Sequence, residues 1–312
     1  MIYDILKDNK NDVRLVGNIG FPILNEKQIN NNTIFVIEAS SYQIEYSSFF
    51  KTDIAILLNI TPDHLERHKS FKNYIKVKLK LIKNQNKNGI AIVNLSDKFL
   101  RKQIYLNGLQ KKIVRMNSKL PNKILKNIKN SYFQNLNNIE NLKYAYAVSK
   151  ILKVSDKNIL KNINKFSGLI YRNEIIFNNG RLMIINDSKS TSFSSSVSLL
   201  QSFKNIYWII GGMAKKGDEF KLKKKFGKNI KAYIYGKDID FFEKKIKKKI
   251  KFKKYKNLID ALKDVYRDCI LDKKKKNIIF SPAAASFDQF QNFEKRGKYF
   301  NFLINKIGFK KI

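Results

Sequence analysis

The chain is poor in the residues that staple or export a protein. Its 312 residues include one cysteine, Cys269, so no internal disulfide can form, and that scarcity suits a reducing cytosol. No apolar run is long enough to span a bilayer, and neither a signal peptide nor an internal repeat is read. The expectation is a cytoplasmic protein without a membrane partner. Acidic residues are few, 25 against 63 lysines and arginines, and the formal charge of +38 looks like the footprint of a nucleic-acid binder. The densest part is residues 244–256, KKIKKKIKFKKYK. Lysine, asparagine and isoleucine are inflated together, however, and all three have A+T-rich codons, so codon bias explains the excess without an acidic partner. The lysines are spread around predicted helices rather than gathered on one face, and nucleic acid is not an expected partner.

Histidine is confined to one stretch. His64 and His68, the only two, fall within residues 59–78, NITPDHLERHKSFKNYIKVK. An apolar strand over 53–60 ends there at a Thr61-Pro62 turn and presents Asp63, His64, Glu66 and His68 where a parallel strand delivers side chains to a crevice. Residues 70–84 then read as a helix with Phe71, Tyr74, Ile75, Leu79 and Ile82 inward and Lys72, Lys76, Lys80 and Lys83 outward. Lys78 falls on the inward face. A lysine there either snorkels to water or loses its charge, because desolvation lowers the pKa of an amine.

The remaining pattern is α/β. Residues 1–10 read as the later part of a helix, with Ile2, Ile5 and Leu6 on one side. GNIG at 17–20 offers two glycines and the amide of Asn18, which by itself is a weak signal. The run 33–37 reads as a buried parallel strand ending in Glu38, and Ser40, Ser41 and Gln43 open a helix behind it. Glu38 suits a hard cation or a capping role equally well. A strand is predicted over 90–93, and residues 99–135 are too lysine-rich for a functional reading. A helix is predicted over 137–152, where Asn141 is either a neighbour of the N-cap or a reader of an adenine edge.

Strand, small-residue turn and helix units predict a second parallel domain. The expected boundary is near residues 166–168, after a helix over 156–165, giving domains of 1–167 and 168–312. A hairpin turning at Asn178-Asn179-Gly180 leads into NDSKST at 186–191, a dense polar cluster that either opens a site or supplies a cap from Asp187 or Ser188. Further strands over 206–210, 232–235 and 277–280 end at Gly211-Gly212 before Lys215, at Gly236, and at SPAAAS.

Taken together, RLVGNIG at 14–20, EASSYQ at 38–43, NITPDHLERH at 59–68, Lys78, NDSKST at 186–191, the glycine pair before Lys215 and SPAAASFDQFQNFEKRG at 281–297 give a chain that resembles the Mur ligase family over nearly its whole length. The resemblance implies a Mur-ligase central domain followed by a Rossmann-like C-terminal domain. It also implies an ATP-dependent ligase, most like those that join D-glutamate to UDP-N-acetylmuramoyl-L-alanine through an acyl phosphate in peptidoglycan synthesis. It implies ATP and Mg2+ as cofactors and a monomeric protein. By matched position, Glu38 and His64 would be magnesium ligands with Lys78 as a carbamate. Asn18 would face the UDP-linked substrate, and Asn141, Arg172 and Asp187 would contact ATP. Lys189, Thr191, Lys215, Ser286 and Phe293 would form the D-glutamate pocket.

One departure stands at the start. The family carries an N-terminal domain and a phosphate loop of GTNGKST type ahead of the helix that resembles residues 1–10, and neither is seen in this sequence. The 312 residues are therefore expected to be a fragment, inactive alone. The alternatives are a related ligase for another amino acid or folate, and a non-catalytic module that binds nucleotide or nucleic acid.

Overall fold

The computed structural model describes residues 1–9, 11–115, 119–215, 217–272 and 274–311; Lys10, at the end of the predicted first helix, lies outside them. Two compact units are present, Met1–Asn130 with Ile139–Phe166, and Ser131–Asn138 with Ser167–Ile312. Each contains mainly parallel sheet, as the strand–turn–helix pattern implies.

In the first unit, β1 (Val13–Gly17) pairs in parallel with β2 (Ile34–Glu38), with Gly17 opposite Glu38. Gly17 has φ +106°, and a Cβ there would stand 2.4 Å from the Glu38 carbonyl oxygen, so a side chain is excluded where the strand ends meet. The run predicted to be buried in β2 is half-buried instead, and its outer edge pairs with no other described strand. A second parallel sheet runs in the order β3 (Ile54–Leu57), β4 (Ile90–Val93), β5 (Ile113–Arg115). Ala91 and Val93 of β4 pack with Leu79 and Ile82 of the helix Phe71–Lys83, all four fully buried. Burying the valine, leucine and isoleucine side chains stabilises by roughly 1.5–3 kcal/mol each, and the alanine methyl by less. Ser70 caps that helix by accepting from the Asn73 N–H. Lys80 departs from the predicted outward stripe: its Nζ turns back to donate to the Glu45 carbonyl at 2.9 Å.

The helix Leu136–Ile151 begins at Leu136, which places Asn141 beyond its first turn and removes the capping reading of that residue. Asn141 is exposed.

The second unit is built on one sheet. Its strands are β6 (Glu174–Asn178), β7 (Leu182–Asn186), β8 (Ile206–Gly211), β9 (Ile230–Tyr235), β10 (Lys251–Tyr255) and β11 (Lys276–Phe280). They lie in the order β10-β9-β8-β11-β7-β6, and only β6 is antiparallel. Both faces are covered, so alternate residues of one strand enter different cores. Ile206, Trp208 and Ile210 of β8 meet Phe193 and Leu199, while Tyr207 and Ile209 meet Leu262, Val265 and Phe300. β10 escaped the sequence reading because KFKKY offers no apolar run. It is an edge strand whose Lys253 and Lys254 pair with Asp264 and Glu243. The insertion of β11 between β7 and β8 brings the C-terminal ends of these three strands side by side. No helix among the described residues is long and apolar enough to cross a membrane.

Candidate active site

The first group of predicted residues gathers at the strand ends of the first unit. The Asn18 backbone N–H donates to the Glu38 carbonyl at 2.8 Å, and its side-chain Nδ2 donates to Glu38 Oε1 at 3.0 Å. Behind Glu38, Ser40 and Gln43 form a reciprocal capping box that fixes the start of the helix Ser41–Tyr46. This helix carries Tyr42 to the His64 loop, where the tyrosine hydroxyl stands 3.1 Å from His64 Nδ1. His64 itself has a left-handed backbone, φ 51°, and its N–H donates to Asp63 Oδ1 at 3.1 Å. His68 is buried beneath it, stacked against Tyr42 and with Nε2 2.9 Å from the Ser41 hydroxyl.

Lys78 lies where the helical period placed it. Its Nζ donates to the Asn59 carbonyl at 3.2 Å and sits 5.2 Å from the centroid of Tyr74. Burial holds its amine below the ordinary lysine range, and the nearby Asp63 carboxylate opposes that shift. Burial also raises Tyr74, with Asp63 adding to the effect.

The second group sits at the ends of β7, β8 and β11. The Asp187 N–H donates to the Phe280 carbonyl at 2.7 Å, and Gly211 N–H donates to that of Pro282 at 3.0 Å. Met213 and Ala285 exchange backbone bonds of 3.0 and 2.9 Å. Gly212 permits this meeting: its φ is +125°, and a Cβ would stand 2.6 Å from the Ala285 carbonyl oxygen. Asp187 is buried. It accepts from the Ser281 hydroxyl at 2.7 Å and from the Asn173 N–H at 3.2 Å. Burial nonetheless pushes its ionisation up to about 7, against the opposing effects of those bonds, of Arg172 and of Arg296. Asp187 and Ser188 do not cap the following helix. Phe193–Ser202 is capped by Ser192 and Ser195, which leaves the NDSKST segment as a loop.

Arg172 is exposed, between Tyr171 and Asn173 whose φ values are 61° and 48°. The Lys189 ammonium is 3.9 Å from the centroid of Phe293, and the Phe293 carbonyl accepts from the Ser188 hydroxyl at 2.8 Å. Thr191 and Lys215 are exposed, and Ser286 is buried on the loop after β11.

Tyr42, Asn173, Ser281 and Arg296 received no role from sequence, and His68, expected to be presented to the crevice, is instead buried under Tyr42. Arg296, fully buried, donates to the Ser188 carbonyl at 2.7 Å, to the Ala284 carbonyl at 2.9 Å and to the Ser188 hydroxyl at 3.1 Å. One guanidinium thus ties the NDSKST loop to the SPAAAS loop, and the EKRG run that carries it was the available signal.

Among the described residues, no group of three or more histidine, cysteine, aspartate and glutamate side chains could hold a metal ion. Glu38 and His64 fit a different kind of binding, that of a hard cation taking one or two protein ligands and completing its shell with water and phosphate. Each has one atom engaged by a neighbour, Oε1 by Asn18 and Nδ1 by Tyr42, which leaves Oε2 and Nε2 as the candidate donors.

The Mur ligase middle domain matches residues 1–163 of the chain. Among similar proteins is the UDP-N-acetylmuramoylalanine--D-glutamate ligase of Rickettsia bellii, 34% identical over 329 residues, covering 98% of this chain and 72% of that protein. The ligase of the same name from the Wolbachia of Brugia malayi is 33% identical over 363 residues, with the same coverages of 98% and 72%. Similar solved structures include MurF ligase from Thermotoga maritima in complex with ADP, with a TM-score of 0.66 at 16% identity, covering 98% of this chain and 76% of that one. MurF from Acinetobacter baumannii gives 0.67 at 14% identity, covering 97% and 79%. At these identities the structural likeness is one of fold.

Proposed function

The chain belongs to the Mur ligase family, and we propose that it is an ATP-dependent amide ligase that adds D-glutamate to UDP-N-acetylmuramoyl-L-alanine. One observation carries the reading: Asp187, Lys189 and Ser286 lie on loops that leave adjacent strand ends, in a chain that aligns over 98% of its length with a ligase of that name. The reaction belongs to the cytoplasm, where ATP and the UDP-linked substrate are made.

In this reading ATP phosphorylates the alanine carboxylate to an acyl phosphate. The amine of D-glutamate then attacks the carbonyl carbon; the C–N bond forms as the bond to phosphate breaks, and the amine gives up a proton. Asn18 faces the UDP-linked substrate, while Asn141, Arg172 and Asp187 contact the adenine, phosphates and ribose of ATP. Arg172 suits phosphate because its guanidinium can bind two oxygens at once. Lys189, Thr191, Lys215, Ser286 and Phe293 form the D-glutamate pocket, the cations answering its two carboxylates. Glu38, His64 and Lys78 as a carbamate would hold Mg2+, which would supply neutralisation of phosphate charge. Lys78 must be neutral to react with carbon dioxide, and the desolvation that holds its half-buried amine below the ordinary lysine range supports that.

The test is phosphate release by protein expressed from its own gene, with ATP, Mg2+ and UDP-N-acetylmuramoyl-L-alanine present. D-glutamate is expected to support release and L-glutamate is not. Release that follows a different amino acid, or a folate, would assign the chain another substrate.

A further inference from the structure

The contact between Tyr42 and His64 can run in either chemical direction. Resting on the proposed role of His64 as a metal ligand, we infer that Tyr42 is a positioning residue that sets the tautomer of His64. The two groups are 3.1 Å apart, hydroxyl oxygen to Nδ1, with ring centroids 5.1 Å apart. A neutral imidazole has one N–H and one lone pair, and a metal takes the lone pair. If Tyr42 donates to Nδ1, the proton must sit on Nε2 and the ring cannot bind a cation there. If Nδ1–H donates to the tyrosine oxygen, Nε2 keeps its lone pair. The second arrangement is the one that serves the site, and ligating histidines usually donate their remote N–H in this way.

The surroundings leave the choice to Tyr42. The other acceptors beside the ring are poorly placed: Glu66 Oε1 stands 3.7 Å from Nδ1 and Asp63 Oδ2 3.6 Å from Nε2. Asp63 is already engaged at Oδ1 by the His64 backbone N–H. Tyr42 has a fixed place, since it leaves the capped start of the helix Ser41–Tyr46 and stacks at 5.7 Å on the buried His68. His68 in turn packs 5.3 Å from Tyr74 and meets the Ser41 hydroxyl. The support therefore runs from the protein interior through His68 and Tyr42 to the exposed edge of His64.

The test is the 15N spectrum of histidine-labelled, metal-free protein at a pH where both rings are neutral, because the two tautomers have widely separated nitrogen resonances. Two histidines give two sets of signals, and His64→Gln assigns them. The expected result is the Nδ1–H form for His64, shifting toward the Nε2–H form or a mixture in Tyr42→Phe while the His68 signals stay in place. An Nε2–H form in the unsubstituted protein overturns the inference without any variant. So does an Nδ1–H form that persists unchanged in a folded Tyr42→Phe protein. The measurement uses no substrate, so a failed ligase assay and a failed tautomer assignment are separate outcomes.

Discussion

Ser281 donates its hydroxyl to the Asp187 carboxylate across 2.7 Å, joining the end of β11 to the end of β7. The bond continues inward, because Ser281 Oγ is 2.7 Å from Ser196 Oγ and that oxygen is 2.8 Å from Ser190 Oγ. A buried file of hydroxyls thus braces the carboxylate that the ligase reading assigns to the ATP ribose. Such networks are stable only when each member is satisfied.

Asp187 gives this protein a pH dependence of unusual sign. Its folded ionisation is pushed up to about 7, mainly by burial. An unfolded aspartate ionises near pH 3.9. Between about 4 and 7 the unfolded chain releases this proton while the folded chain keeps it, so stability from this group is full below the window and is lost as pH rises through it. Asp187→Asn removes the effect. The thermal midpoint of the unsubstituted protein, minus that of the variant, should fall from pH 4 to pH 7 and then level off. A difference that stays constant across the window would count against the assignment.

Lys78 is the modifiable amine of the ligase reading. Protein equilibrated with 13C-bicarbonate should show a carbamate carbonyl resonance, formed as Nζ bonds to carbon dioxide and loses a proton. Lys78→Arg should lack the resonance, since a guanidinium stays charged, and ligase turnover should drop by about a hundredfold or more. The same spectrum in protein and variant would place any carbamate elsewhere.

Arg296 ties two loops through three hydrogen bonds from a buried cation. Both carbonyls accept from Nη2 and the Ser188 hydroxyl from Nε; lysine keeps the charge but offers one donor nitrogen on a shorter stem in place of two, and a buried acceptor left without a donor costs about 1–3 kcal/mol. Arg296→Lys should therefore lose about 2 kcal/mol of stability in urea titration and raise the KM for D-glutamate. If the urea midpoint is unchanged, the loops hold without it.

The Lys189–Phe293 contact should matter for one substrate only. A cation over a ring contributes about 0.5–2 kcal/mol depending on its solvation. Phe293→Leu should raise the KM for D-glutamate several-fold and leave that for ATP unchanged. An equal rise in both would point to a general disturbance of the loop.

What could be seen in the sequence followed from short-range periodicity. Lys78 was legible because helical spacing alone puts it beside Tyr74 and Ile82, and β4 and the hairpin turn at Asn179-Gly180 were legible from apolar runs and turn chemistry. The cap at Ser192 was missed because NDSKSTS contains several good cap residues, and which one is used depends on where Asp187 is needed. β10 was missed because an edge strand needs little apolar surface. The meeting of Asp187 with Ser281 could not be read from spacing, since it follows from strand order: β11 enters between β7 and β8 after β9 and β10 have been laid down.

The same edge strand shows how a fold accommodates a drifting composition. β10 presents Lys251, Lys253 and Lys254 along the outer margin of a sheet whose inner strands carry only two charged residues, Lys231 and Lys276. A second sheet added at that margin, about 5 Å away at the spacing of paired strands, would meet the Lys251 charge and crowd the Lys253–Asp264 and Lys254–Glu243 pairs. Charged side chains along a free sheet edge thereby act as a barrier to filament growth.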